Sequence, residues 1–334
     1  MKTTSQIYCQ FLLSSQINYT GTYLSEHFEG LDENSIYRFL SNSKLTPNIV
    51  WEKAQELIVF SKKGYVLFDD VVLNKNFSFK IDGVRKQYSG NEHGIIKGIG
   101  IVTCVYVNPE INKYWIIDFR IFDPEKDGKT KIDHMKDMLE MIDHRNITYK
   151  TVLMDTWYAT TEMMLLIDSK DKTYYCPIKS NRKVDDSNGE KDYQNADSLS
   201  WTKDDLTHGK LVKLKKFPKN KKVKLFRVIV STNKTELIVT NDLDQDSTND
   251  SRKEVAVRWK IEQFHRETKQ NTGIEKCQCR NNRSQRNHIC LCLKVWLFLN
   301  ETAHQTKQNI YQIKKGLLSN YMINQLRNPS LVYC

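Results

Sequence analysis

A few acidic residues fall where they could do chemistry together. Asp69 and Asp70 close YVLFDD, a run rich in β-branched and aromatic residues, and Asp155 closes the short run TVLMD. In open α/β sheets ligands gather at the carboxyl ends of strands, so these aspartates would share one edge. Glu262 lies in a helical stretch where Arg258, Glu262, His265 or Arg266, and Lys269 recur at i, i+4, i+7/8 and i+11. Those positions share a helix face. Paired aspartates and one glutamate make an oxygen-rich site suited to Mg²⁺. Two such ions about 3.5–4 Å apart can activate a water or a 3′-hydroxyl and stabilise the leaving oxygen of a phosphodiester. Singly, each residue has a plainer reading: a strand-end aspartate is usually a turn or cap, and an i,i+4 Arg–Glu pair a solvated helix face. Adjacent strand residues point to opposite faces, so only one of Asp69 and Asp70 can face the ions.

These residues need a sheet and helices to position them. From residue 65 the period is that of strands: Tyr65 to Asp70, Gly98 to Val107 and Tyr114 to Phe122, the last two joined by a turn at Asn108 and Pro109. Asp118 and Asp123, near the end of the third run, read as structural. Thr130 to Arg145 has the spacing of an amphipathic helix, then TVLMD reads as a strand, Thr160 to Ser169 as a helix and Thr173 to Lys179 as a strand. That order makes an α/β domain with a mixed central sheet. Ahead of it, Thr20 to Phe28, Glu33 to Leu40 and Pro47 to Phe60 read as helices, with Asn34 to Leu40 the recognition helix of a helix-turn-helix.

Residues 181–245 break the rhythm. A polar stretch leads into KLVKLKKFPKNKKVK, with eight lysines between Lys210 and Lys224, and then LFRVIV and ELIVTND form a hairpin across Ser231 to Thr235. We read this as a β-rich insertion in the core. A long helix from Arg252 to about Asn271 and a strongly apolar one from about Gln285 to His304 follow. The domain reading is a helical region at 1–60, core at 61–180, insertion at 181–245, core completion at 246–305 and a helical tail at 306–334.

Composition narrows the partner. Lys and Arg number 51 against 40 Asp and Glu, a formal charge of +11, and the sequence pI is near 9.1. An anionic partner fits that balance. A 39% hydrophobic content leaves enough apolar residues for a core despite a mean hydropathy of −0.59. No apolar run reaches the 18 or so residues needed to span a bilayer, which argues against a membrane protein. MKTTSQIYCQFLLSSQ holds only a short apolar patch, a poor signal peptide. Eight scattered cysteines read as reduced thiols of a cytoplasmic protein. Cys277, Cys279, Cys290 and Cys292 with His288 invite a zinc reading, but two thiols spaced C-x-C on a helix suit packing better than chelation. Trp157 and Trp201 read as buried by default, although either could stack on an unpaired base.

The run R258-W-K-I-E262-Q-F-H-R-E-T-K269 resembles the Y-(2)-R-(3)-E-(6)-K signature of bacterial DDE transposases. The Arg–Glu and Glu–Lys spacings match, and Val255 stands in the tyrosine slot. FDDVVLNK resembles the first-aspartate motif, which makes Asp70 the ligand, with Val71 in place of the usual hydroxyl residue. MDTWYAT resembles the second and gives Asp155. IYRFLSNSKLTP, KQYSG, DPEKDGKTKIDHMKDMLE, IKSNRKV and RSQRNHI also look like insertion-sequence transposases of the DDE superfamily endonuclease type, in the insertion sequence four-like group. The resemblance runs from about residue 30 to 305.

What it implies is an RNase H-like mixed-sheet core with a β-rich insertion, a helical DNA-binding N-terminal region and C-terminal helices. It implies cut-and-paste transposition, with Asp70, Asp155 and Glu262 holding two Mg²⁺ ions, or Mn²⁺ in their place. Arg258 and Lys269 would steady phosphates, with His265, Arg266, Arg280, Arg283 and Arg286 as further DNA contacts. The partners are double-stranded DNA with terminal inverted repeats, target DNA and a second copy in a synaptic homodimer, in a prokaryotic cytoplasm at the nucleoid. The competing reading is a catalytically inactive, transposase-derived DNA-binding protein.

Overall fold

Thr4, Thr20 and Asp32 each set a side-chain oxygen over the first turn of a helix, accepting from the N–H three residues on. They start α1 (Ser5–Ser14), α2 (Gly21–Glu26) and α3 (Glu33–Asn42); Pro47 then opens α4 (Pro47–Gln55). The computed structural model describes residues 2–78, 80–90, 92–231 and 234–330. The N-terminal patch is a helix, α1, burying Tyr8, Phe11 and Leu12, within the region read as helical. One sequence expectation changes here. The helix expected to reach Phe60 stops at Gln55.

The core sheet is built by β1 (Tyr65–Asn74), β2 (Arg85–Ser89), β3 (Gly94–Asn108) and β4 (Lys113–Phe122), then, after α5 (Pro124–Asp127) and α6 (Lys131–His144), by β5 (Thr151–Met154), α7 (Thr161–Ser169) and β6 (Thr173–Ile178). Strand β3 runs antiparallel to β1, β2 and β4, while β5 and β6 run parallel to β1. The order β4-β3-β1-β5-β6, three antiparallel strands followed by two parallel ones, is the mixed RNase H-like arrangement. A capping box between Thr130 and Asp133 starts α6. Its Met135, Met138 and Leu139 are fully buried, which fixes the helix on the sheet.

Beyond β6 come β7 (Lys183–Asp185), β8 (Gln194–Asn195), α8 (Lys203–His208), β9 (Lys210–Leu214), β10 (Val223–Ser231) and β11 (Lys234–Thr240). The β10–β11 hairpin forms as its alternation demands, although residues 232 and 233 of its expected turn lie outside the described residues. Strand β11 pairs antiparallel with β6, so this segment extends the core sheet.

The chain ends with α9 (Thr248–Ala256), α10 (Trp259–Asn271), α11 (Asn282–Thr306) and α12 (Ile310–Arg327). The sequence suggests one helix from Arg252 to Asn271; there are two. At Val257, Arg258, Lys260 and Ile261 each N–H bonds three residues back, tightening the chain between α9 and α10. Helix α11 is the central post. Trp296, Leu297 and Leu299 are fully buried, and α1, α3 and α4 pack against it. No helix among the described residues is long and apolar enough to cross a membrane.

Candidate active site

Strands β1 and β5 pair in parallel from Tyr65↔Thr151 to Phe68↔Met154. Asp69 and Asp155 are the next residues on each, so two carboxylates meet at the carboxyl end of the parallel pair. Asp69 takes the Asp70 N–H on Oδ1 at 2.8 Å, and its Oδ2 lies 4.0 Å from His265 Nδ1. Thr103, the register partner of Asp69 on β3, bonds the Asp69 carbonyl at 3.0 Å and His265 Nε2 at 2.8 Å. Burial pushes the Asp69 carboxyl well above the usual range, and the charges of Asp155 and Asp70 add to it. Asp155 is raised as well, mainly by burial, although the Tyr158 and Trp157 N–H groups on its Oδ1 pull the other way.

Asp70 faces other partners. Its Oδ2 pairs with Lys131 Nζ of α6 at 2.5 Å, and its Oδ1 accepts the Tyr158 hydroxyl at 2.9 Å. Both oxygens are engaged.

Helix α10 forms the opposite wall of the cleft, which has a volume of about 940 Å³ and is lined by Asp69, Asp70, Asp155, Arg258, Glu262, Arg266 and Lys269, among others. Glu262 Oε1 lies 3.5 Å from Arg258 Nη1, the i,i+4 contact its spacing allows. Arg258 Nε is buried without a hydrogen-bond partner among the described residues, a donor the protein leaves unspent. Tyr88 of β2 and His93 of the β2–β3 connection also line the cleft. The sequence marks this segment only through the resemblance of KQYSG, because β2 is short and half exposed.

The remaining expected contacts divide. His265 is buried, and burial holds its pKa near 3, so it is neutral at pH 7 and brings no cation to a phosphate. Lys269 reaches inward, donating to the Val72 carbonyl at 2.9 Å and pairing with Glu275 at 2.9 Å. Arg266 is exposed, its guanidinium 5.5 Å from the Trp259 ring centre. Arg280 and Arg283 are exposed as well, and Arg286 Nε donates to Asn282 Oδ1 at 3.0 Å. Trp157, expected inside, is 61% exposed on the turn that Asp155 closes, with Lys179 Nζ 5.6 Å from its ring centre.

Among the described residues, no three His, Cys, Asp or Glu side chains stand close enough to hold an ion as placed. The donors of the cleft are nonetheless oxygens of the kind Mg²⁺ takes. Burial raises the Asp69 and Asp155 carboxyls, and the charges crowded beside them add to it despite Arg258, so an added positive charge would relieve both. A divalent cation fits them.

Residues 116–298 match the family model described as Transposase DDE domain. The matched span takes in Asp155 and Glu262 and starts beyond Asp69 and Asp70. No curated protein matches the chain. Among solved structures it is similar to the "Cryo-EM structure of piggyBac transposase synaptic complex with hairpin DNA", with a TM-score of 0.48 at 9% identity over 99% of this chain and 74% of that one.

Proposed function

From the premise that the chain belongs to the transposase DDE domain family, we propose that it cuts DNA at transposon ends and joins the freed 3′ ends to target DNA, the cut-and-paste reaction of insertion sequences with the Y-R-E-K signature. One observation carries this reading. Asp69 and Asp155 meet at the carboxyl end of parallel strands, across a cleft from Glu262 and Arg258 on α10. In this assignment Asp69, Asp155 and Glu262 hold two Mg²⁺ ions, and Asp69 replaces Asp70 as the first ligand. Asp70 already spends both oxygens on Lys131 and Tyr158. Bound there, the ions would activate the attacking oxygen and stabilise the leaving one.

The chain's own residues do the rest. Arg258 and the exposed Arg266 set two cations at the cleft, where they would meet DNA phosphates. The neutral His265, held by Thr103, lies beside Asp69 without bringing a cation to it. Helix α3 turns Asn34, Tyr37 and Arg38 toward Arg280 and Asn281 across a groove of about 740 Å³, a surface suited to duplex DNA with terminal inverted repeats. Residues 1–60 are then the DNA-binding region, and two copies would synapse two ends.

The test is cleavage of a labelled duplex carrying the element's own end, with Mg²⁺, by wild type and Glu262→Gln. Cuts at the repeat boundary by the wild type alone support the assignment. Binding without cutting by either protein, across metals and end lengths, would favour the inactive DNA-binding reading.

A further inference from the structure

We propose that Asp70, Tyr158 and Lys131 form a brace that positions Asp155, and that Asp70 acts through this brace and not as a ligand. The inference rests on the assignment of Asp69, Asp155 and Glu262 made above. Asp155 sits on a turn closed by its own side chain, with Oδ1 accepting the Trp157 N–H at 2.9 Å and the Tyr158 N–H at 3.2 Å. Such a turn fixes the carboxylate relative to Tyr158. It does not by itself fix either of them relative to β1.

The Tyr158 side chain supplies that link. Its ring is fully buried, and its hydroxyl donates to Asp70 Oδ1 at 2.9 Å. Asp70 in turn is held from α6 by Lys131 Nζ at 2.5 Å, a cation that also lies 5.4 Å from the Phe122 ring centre. The Asp70 backbone N–H also holds Asp69 Oδ1, at 2.8 Å. One residue thus steadies both aspartates of the cleft, Asp69 through its amide and Asp155 through its carboxylate. Partners that orient metal-binding carboxylates typically change metal affinity about 10–100-fold when removed.

The test is a Mn²⁺ titration of the full-length protein, without DNA, followed by electron paramagnetic resonance of the free ion. Asp69→Asn should abolish binding. Asp70→Asn and Tyr158→Phe should keep the wild-type stoichiometry with affinity lowered about 10–100-fold. The double variant should be no worse than the weaker single one, because both cut the same link. Tyr158→Phe keeps the buried ring, so an unchanged melting temperature with weakened Mn²⁺ binding separates positioning from a general loss of fold. Wild-type affinity in Tyr158→Phe would overturn the brace. So would loss of binding in Asp70→Asn with retention in Asp69→Asn, which would make Asp70 the ligand. A wild type that binds no Mn²⁺ would overturn the metal reading itself and the brace with it, an outcome visible before any variant is made.

Discussion

Asp69 and Asp70 are consecutive on β1 and line the same cleft, yet their carboxylates meet different helices. Asp69 lies 4.0 Å from His265 of α10, and Asp70 pairs at 2.5 Å with Lys131 of α6. Neighbouring side chains on a pleated strand diverge, which lets each reach its own helix. What the structure adds is which helix each one meets, and α10 is the helix that carries Glu262.

Asp155→Asn and Glu262→Gln are therefore expected to lower cleavage by more than the roughly 10–100-fold that outer partners of a metal command, with end binding largely kept. Neither residue supplies a cation to DNA. Cleavage and gel-shift assays on the same end duplex check this, and normal cutting by either variant removes that residue from the site.

The sheet was legible because its strands are buried runs. Val66, Leu67 and Phe68 and then Val152 and Met154 are fully buried, and continuous apolar stretches of that kind mark strands covered on both faces. Helix α10 and its cationic face were legible from period alone. Three features were not. Asp70's partner Lys131 lies 61 residues away, a distance no local spacing encodes. The break before α10 comes from tightened hydrogen bonds at Val257 and Arg258, without the glycine or proline that would announce it. Trp157 is exposed against the default for its type, on the turn that Asp155 closes, while its neighbour Tyr158 on the same turn is buried.

Lys269 illustrates how a spacing match and a role can part. On its helix face it reads as a phosphate contact, but its ammonium is tied to the Val72 carbonyl and to Glu275. Lys269→Met should lower thermal stability by the roughly 1–3 kcal/mol of a charged hydrogen bond removed from a half-buried site. Its effect on the salt slope of end binding should be small. Thermal melts and binding at several salt concentrations separate the two, and an unchanged melt with a flatter slope would return Lys269 to the phosphate.

Arg266 should behave in the opposite way. It is exposed at the cleft, with its guanidinium 5.5 Å from the Trp259 ring centre. If it meets a phosphate, Arg266→Ala should weaken end binding and reduce the slope of log K against log salt by about 0.9, the share of one released counterion. The melting temperature should hardly move. A wild-type slope would place Arg266 off the DNA path.

Acid should loosen the junction between α1 and α11 through His288. This histidine is fully buried, with Nδ1 on the Tyr8 hydroxyl at 3.0 Å and Nε2 on the Gly273 carbonyl at 3.0 Å, and Cys292 Sγ lies 3.3 Å from Nε2. Burial holds its pKa near 3 against an ordinary value of 6.5, and the nearby Lys75 ammonium pushes in the same direction. Between those values the unfolded chain binds a proton that the folded one refuses. Stability is thus complete above about pH 6.5 and falls as pH drops toward 3, by roughly 1.4 kcal/mol per pH unit for this one group. His265 adds a loss of the same sign, whereas the raised Asp69 carboxyl, which keeps its proton longer when folded, works against both. Denaturant midpoints for wild type and His288→Gln, taken between pH 6 and pH 4, isolate the term. The variant should start less stable and lose less per pH unit, and parallel pH profiles would mean that His288 does not govern the acid response.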